Sequence, residues 1–185
     1  MPTPARTSLD EIVLAGRAIV ESDGVESLTM QRVAEAVGVR APSLYKRVRS
    51  RHDLIRMVVE HIARDLTETL DGAATTDDPR HDLHAMANAL RAFAHAQPAA
   101  YALLFAQLPE ESRPDQQILA GTAASVVRVA SVLAGPELAL EAARMIAAWA
   151  HGFISMELAG AFRLGGDVDR AYDFGVERLA AALEQ

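Results

Sequence analysis

The sequence predicts an all-α protein: a three-helix helix-turn-helix head followed by a helical-bundle body, about nine helices in all. Three observations carry this. Apolar residues recur three and four positions apart along most of the chain, and no strand-like alternation competes. Asp23-Gly24, Gly135-Pro136 and Gly165-Gly166 punctuate the periodic segments. Half of the residues are hydrophobic but only 5% are aromatic; alanine, the best helix former, makes up the difference.

Taken in order, Ser8 is the expected N-cap of a first helix, with Glu11 completing a capping box. Leu9, Ile12, Val13, Gly16, Ile19 and Val20 give that helix one apolar face, and Gly24 ends it in the left-handed conformation that glycine accepts. A second helix runs from Thr29 to about Val37, and Gly38-Val39 forms a tight turn. Pro42 then sits in the first turn of a third helix, where a missing N–H costs nothing. Leu44 and Val48, four apart, should pack back onto the first two helices. A fourth helix spans about Arg51 to Leu70 with Leu54, Val58, Ile62 and Leu66 aligned. Residues 71–79 have loop composition and divide head from body. Five more helices follow: about Arg80–Ala96, a short one between Pro98 and Pro109, Pro114–Leu133, Glu137–Phe162, and Val168–Leu183 with Tyr172, Val176, Leu179 and Leu183 on one face. As domains, residues 1–50 form the helix-turn-helix head and 51–185 the body.

Composition removes several function classes. Without cysteine there is no disulfide framework and no thiolate metal cluster, which fits a reducing cytoplasm. The stretch MPTPARTSLDEIVL lacks the apolar region of a signal peptide, and no apolar run is expected to reach the ~18–20 residues of a spanning helix. A soluble, cytoplasmic chain with no membrane partner is expected. Net charge is −7 but unevenly spread: residues 1–66 hold ten Lys/Arg against nine Asp/Glu, and residues 67–185 hold eight against sixteen. A nearly neutral head with a local basic patch, ahead of an acidic body, suits nucleic-acid binding by one face only.

That patch is Leu28–Arg51, LTMQRVAEAVGVRAPSLYKRVRSR. It carries the chain's single lysine, Lys46, with Arg40, Arg47, Arg49 and Arg51, and no acidic residue intervenes between Glu35 and Asp53. Two helices joined by a short glycine-containing turn form a helix-turn-helix, whose second helix reads base edges with its N-terminal residues. Arg40 is then suited to a guanine edge, Ala41 and Pro42 to a thymine methyl, and Ser43 to either partner. Tyr45, Lys46, Arg51 and the helix start at Thr29 are placed for phosphates, which position the protein without selecting sequence.

The run LTMQRVAEAVGV, then APSLYKRV, then a basic residue and DLI, resembles the DNA-binding head of TetR-type regulators over roughly Ser8 to Ile55. The match joins Thr29, Ala34, Gly38, Val39, Leu44, Tyr45 and Leu54 across three helices. The resemblance implies operator contacts at Thr29, Arg40 to Ser43, Tyr45 and Lys46, and puts Arg51 where the family usually has lysine. Arg40 stands in place of the common Ser/Thr cap, and Val48 in place of a common phenylalanine. The segment AAWAHGFISMELAGAF is similar to the regulatory domain of a TetR subgroup marked by Trp149 and His151-Gly152.

In the body, Ala148, Gly152, Ser155 and Ala159 form a small-residue stripe that would let another helix approach closely. With Tyr172, Val176 and Leu179 on the last helix it predicts a homodimeric four-helix interface. By the resemblance, an effector pocket among the middle helices would draw on Leu90, Phe93, Tyr101, Phe105, Val127, Met145 and Trp149, each more often plain core. Arg128 and Arg144 lie in apolar helices and either meet an anionic ligand, pair with a carboxylate such as Glu141, or face water. His81 and His84 lie three apart with no third ligand, so no metal is expected, and no cofactor. His95 and His151 suit core or pocket hydrogen bonding, and nothing sets a base beside a nucleophile. The expectation is a non-enzymatic, homodimeric DNA-binding repressor released from a palindromic operator by a ligand, with double-stranded operator DNA and a small-molecule effector as partners. The rival reading is an all-helical ligand-binding or enzymatic domain that does not bind DNA.

Overall fold

The computed structural model describes residues 7–184; the leader reading of the N-terminus rests partly on residues 1–6, outside that range. Among the described residues there are nine α-helices, three short 3-10 turns and no strand. The helices are α1 (Leu9–Asp23), α2 (Met30–Ala36), α3 (Ala41–Leu44), α4 (Arg51–Ala73), α5 (Pro79–Ala96), α6 (Pro98–Leu104), α7 (Gln116–Ala134), α8 (Ala139–Leu158) and α9 (Val168–Leu183). They divide into two compact units, Met1–Ala63 with Gln97–Ile118, and Arg64–Ala96 with Leu119–Gln185.

In the first unit, the capping box closes α1: Ser8 N donates to Glu11 Oε2 at 2.7 Å and Glu11 N to Ser8 Oγ at 3.0 Å. Ile12, Val20, Leu28, Val33, Leu44, Val48, Leu54, Val58 and Ile62 form a core, each at most 1% exposed. Gly16 lets α1 approach that core; a Cβ there would stand 2.9 Å from Val58 Cγ2 and 3.4 Å from Leu28 Cδ1. The segment 97–118 belongs to this unit through specific bonds. Glu21, on α1, accepts from Ala100 N at 2.9 Å and so caps α6. Arg17 donates to Gln97 Oε1, and His52 Nδ1 lies 2.9 Å from Ser112 Oγ, which is fully buried.

The second unit packs α5 against α8 and α9. Tyr172 is its centre: fully buried, it donates its hydroxyl to Ala87 O at 2.8 Å. Trp149 stacks on it at 5.3 Å, and Phe153 meets it edge-on at 5.0 Å.

Three expectations about extent change. Helix α4 continues through Gly72 to Ala73, and the loop at 74–78 lies inside the second unit, pinned where Thr76 donates from its N–H and hydroxyl to the buried Asp82 carboxylate at 3.0 and 2.8 Å. Helix α8 stops at Leu158, well short of Phe162. Gly160 takes φ +62°, and Ala161 N donates to Met156 O at 2.9 Å, a Schellman end concealed by its apolar neighbours. Finally, the 19-residue α7 is long and apolar enough to cross a bilayer by length and composition, correcting the expectation that no segment is. Its single charge, Arg128, donates to Ala74 O at 3.2 Å, and Ser125 to Asp71. A bundle helix passes the same test.

Candidate nucleic-acid interface

The reading element is held from below by two side chains. Leu44 and Val48 are buried at 1% and 0%, as their spacing predicts, so the intervening residues face outward. Arg40, Pro42, Ser43, Lys46, Arg47 and Arg49 are exposed, Tyr45 is 55% exposed, and Ala41 is half-buried. Gly38 takes φ +70° in the turn, and Val39 N donates to Ala34 O at 2.9 Å, closing α2. Helix α3 is only four residues long. Arg40 is its N-cap; its side chain, which has no acceptor to offer the helix start, is exposed. Thr29 caps α2, its hydroxyl accepting from Arg32 N at 3.2 Å. The surface therefore offers a basic row with one hydroxyl and one aromatic ring, the chemistry that meets phosphates and base edges.

Arg51 departs from the expected pattern. Its Nε donates to Leu28 O at 2.7 Å and its Nη2 to Val25 O at 2.8 Å, so the guanidinium is engaged with backbone carbonyls. Asp53 occupies the first turn of α4. Burial pushes its carboxyl up, but bonds from Arg49 N and Arg56 outweigh that and hold it below its usual value.

The residues expected to pair protomers separate into two groups. Ala148, Gly152 and Ala159 are exposed and Ser155 is half-buried, its hydroxyl 3.5 Å from His151 Nδ1. Met145 and Met156 flank them, 42% and 49% exposed. Tyr172 and Val176 are instead core residues at 0% and 2%, because the apolar face of α9 turns into its own unit; Leu179 is half-buried. The outward face of α9 carries Phe174 at 57%.

The candidate effector residues fall in both units. Tyr101 and Phe105 lie in the first unit, 5.1 Å apart by ring centroid, Tyr101 buried and Phe105 exposed. Leu90, Phe93, Val127, Met145 and Trp149 belong to the second. Phe93 is buried, Met145 faces outward, and Leu90, Val127 and Trp149 are half-buried. Trp149 covers Gly175 and stacks on Tyr172, which makes it a packing residue between α8 and α9.

Sequence reasoning missed the main polar cluster of the second unit. Arg91 donates to both oxygens of Glu157 and, at 2.6 Å, to Asp169, and stands 4.9 Å over the Tyr172 ring. His95 Nε2 lies 3.0 Å from Glu157. Arg91, His95, Glu157 and Asp169 line a surface cleft of about 400 Å³ with Asn88 and Ala92. The partners are 66 and 78 positions from Arg91, so no local spacing signals them. The Arg91 bond holds the Glu157 carboxyl down to about 2, against the effect of burial. A carboxyl whose folded pKa is depressed stabilises the fold fully above its ordinary value of 4.5 and loses that contribution as pH falls toward 2. Near-ultraviolet circular dichroism of Trp149 is expected to show acid loosening in that window, and Glu157→Gln should flatten it. An unchanged acid profile in the variant would assign the lability elsewhere.

Residues 83–179 match the family model of the tetracyclin repressor-like C-terminal domain. Over 188 aligned residues, the chain is 31% identical to an uncharacterized HTH-type transcriptional regulator of Mycobacterium tuberculosis, covering 98% of this chain and 84% of the relative. This chain belongs to the TetR family of transcriptional regulators. It is accordingly a regulator and not an enzyme. The fold likeness extends over nearly all of the chain: BioQ solved with its double-stranded DNA operator is similar at 23% identity, covering 96% of this chain and 98% of that one with a TM-score of 0.67. A TetR variant from Acinetobacter baumannii AYE in complex with minocycline is similar at 21% identity, covering 95% and 96%, with a TM-score of 0.69.

Proposed function

We propose that this TetR-family regulator is a cytoplasmic homodimeric repressor that binds a palindromic double-stranded operator and is released by a small-molecule effector. Residues 1–50 serve as the DNA-binding domain and 51–185 as the effector and dimerisation domain. The observation that carries the reading is the outward row Arg40–Lys46, seated on the buried Leu44 and Val48. Thr29, Arg40, Ala41, Pro42, Ser43, Tyr45 and Lys46 are the proposed contacts. BioQ's complex with an operator, and the minocycline complex of the Acinetobacter protein, support DNA and effector binding by analogy of fold. The exposed stripe Ala148, Gly152 and Ala159 supports pairing through α8, with the exposed Phe174 as the α9 residue proposed in place of Tyr172 and Val176. Two heads would address half-sites about 34–36 Å apart. The effector must bind one head spacing better than the other, since equal affinity shifts nothing. Leu90 and Val127, half-buried in the second unit, are the proposed first residues to probe for that effector.

Two substitutions test the reading. Lys46→Ala should weaken binding to every duplex about equally and lower the salt slope by about one unit, the share of one phosphate contact. Arg40→Ala should relax preference at one base position per half-site, at about 1–3 kcal/mol per discriminated base. If neither changes retention on DNA at low salt, the operator reading fails.

A further inference from the structure

We propose that Arg51 is a positioning residue of the DNA-reading head: its guanidinium ties the start of α4 to the Leu28 and Val25 carbonyls and so sets the α2 N-terminus, leaving phosphate neutralisation by this stretch to the exposed Arg47 and Arg49. This rests on the operator reading above and deepens it. The fork spans 23 and 26 residues of sequence, joining α4 to the 3-10 turn Val25–Ser27 that leads directly into Thr29. A carbonyl oxygen has two lone pairs, so Val25 O takes Arg51 Nη2 as well as Leu28 N, which donates to it at 3.1 Å. Glu26 adds a weak attraction at 3.8 Å, and the Arg51 side chain is only 35% exposed. Asp53 also argues against a phosphate at this helix start. Its carboxylate already accepts from Arg49 N at 2.9 Å and from Arg56, so a negative charge of the chain's own stands at this helix start. Arg47 and Arg49 are exposed on the same stretch.

Charge and geometry therefore separate at this position. A phosphate ligand keeps most of its effect when arginine becomes lysine, because the charge survives. A two-pronged clamp does not, because an ammonium lacks the planar fork that reaches two carbonyls at once.

The test uses the full chain and the duplex that the wild-type protein selects from a random pool. Binding is measured against salt at a temperature where circular dichroism shows each variant folded. Arg51→Gln and Arg51→Lys should both weaken binding by about tenfold or more through lost pre-organisation. Their salt slopes should stay at the wild-type value, whereas Arg49→Gln should lower the slope by about one unit. Recovery of wild-type affinity by Arg51→Lys, a slope reduced by one in Arg51→Gln, or wild-type affinity in both overturns the proposal. Dicarbonyl modification of the wild-type protein covers the case of a variant that does not fold. Arg47 and Arg49 should react in the free protein and be protected by the duplex, while Arg51 reacts slowly in both states. An Arg51 as reactive as Arg47, and protected only by DNA, also overturns it. If the wild-type chain selects no duplex, the operator reading fails and this proposal with it; selection followed by any of the adverse results removes the Arg51 assignment alone.

Discussion

Gly152→Arg is expected to turn the proposed dimer into a folded monomer and to cut affinity for operator DNA by about 10²–10⁴-fold, the advantage of two linked heads over one. Gly152 is exposed on α8, and a Cβ built there meets nothing within 4 Å, so the protomer itself tolerates a side chain. In the dimer the same position would place a charge in a close helix–helix contact, where an unpaired ion costs several kcal/mol. Sedimentation at micromolar concentration should report the monomer, with helicity unchanged. A persistent dimer would move the pairing surface off this stripe, while a monomer that binds operator as tightly as wild type would remove the dependence on two heads.

Gly175→Val should do the opposite, damaging the protomer. A Cβ on Gly175 would overlap Trp149 Cζ2 and stand 2.8 and 2.9 Å from Cη2 and Cε2. The indole cannot withdraw easily, because it is stacked on Tyr172 and lies 5.6 Å from Phe153. Overpacking of this kind costs about 3 kcal/mol, or roughly 6–12 °C in Tm for a chain of this size. The fluorescence of Trp149, the chain's single tryptophan, should shift to the red as the ring is displaced. Gly175→Val combined with Trp149→Leu should recover part of the loss. Wild-type melting in Gly175→Val would show that the ring is not held as described.

The head was legible because its signals are local. The capping box of Ser8 and Glu11, the turn at Gly38, and Leu44 and Val48 four apart each act within a few residues, and the structure places them as their spacing implies. Helix ends were less legible. Gly72 stays helical and Gly160 does not, though both follow helical runs; what distinguishes Gly160 is the bond from Ala161 N back to Met156 O. Long-range polar contacts gave no local trace. Nothing near Arg91 in sequence signals Glu157 and Asp169, which α8 and α9 bring to it.

Sequence alone determined that the chain is all-helical, that residues 28–51 form a helix-turn-helix, and which basic side chains that element carries. Those properties follow from periodicity, capping and turn chemistry, which act over a few residues. Only the tertiary structure decided what each helix face meets. It turned Tyr172 and Val176 inward, set Gly175 under Trp149 while leaving Gly152 open, and drew Arg51 onto the carbonyls of Leu28 and Val25. A small residue or an arginine has the same local signature in either setting, and its role depends on atoms brought near it from distant parts of the chain.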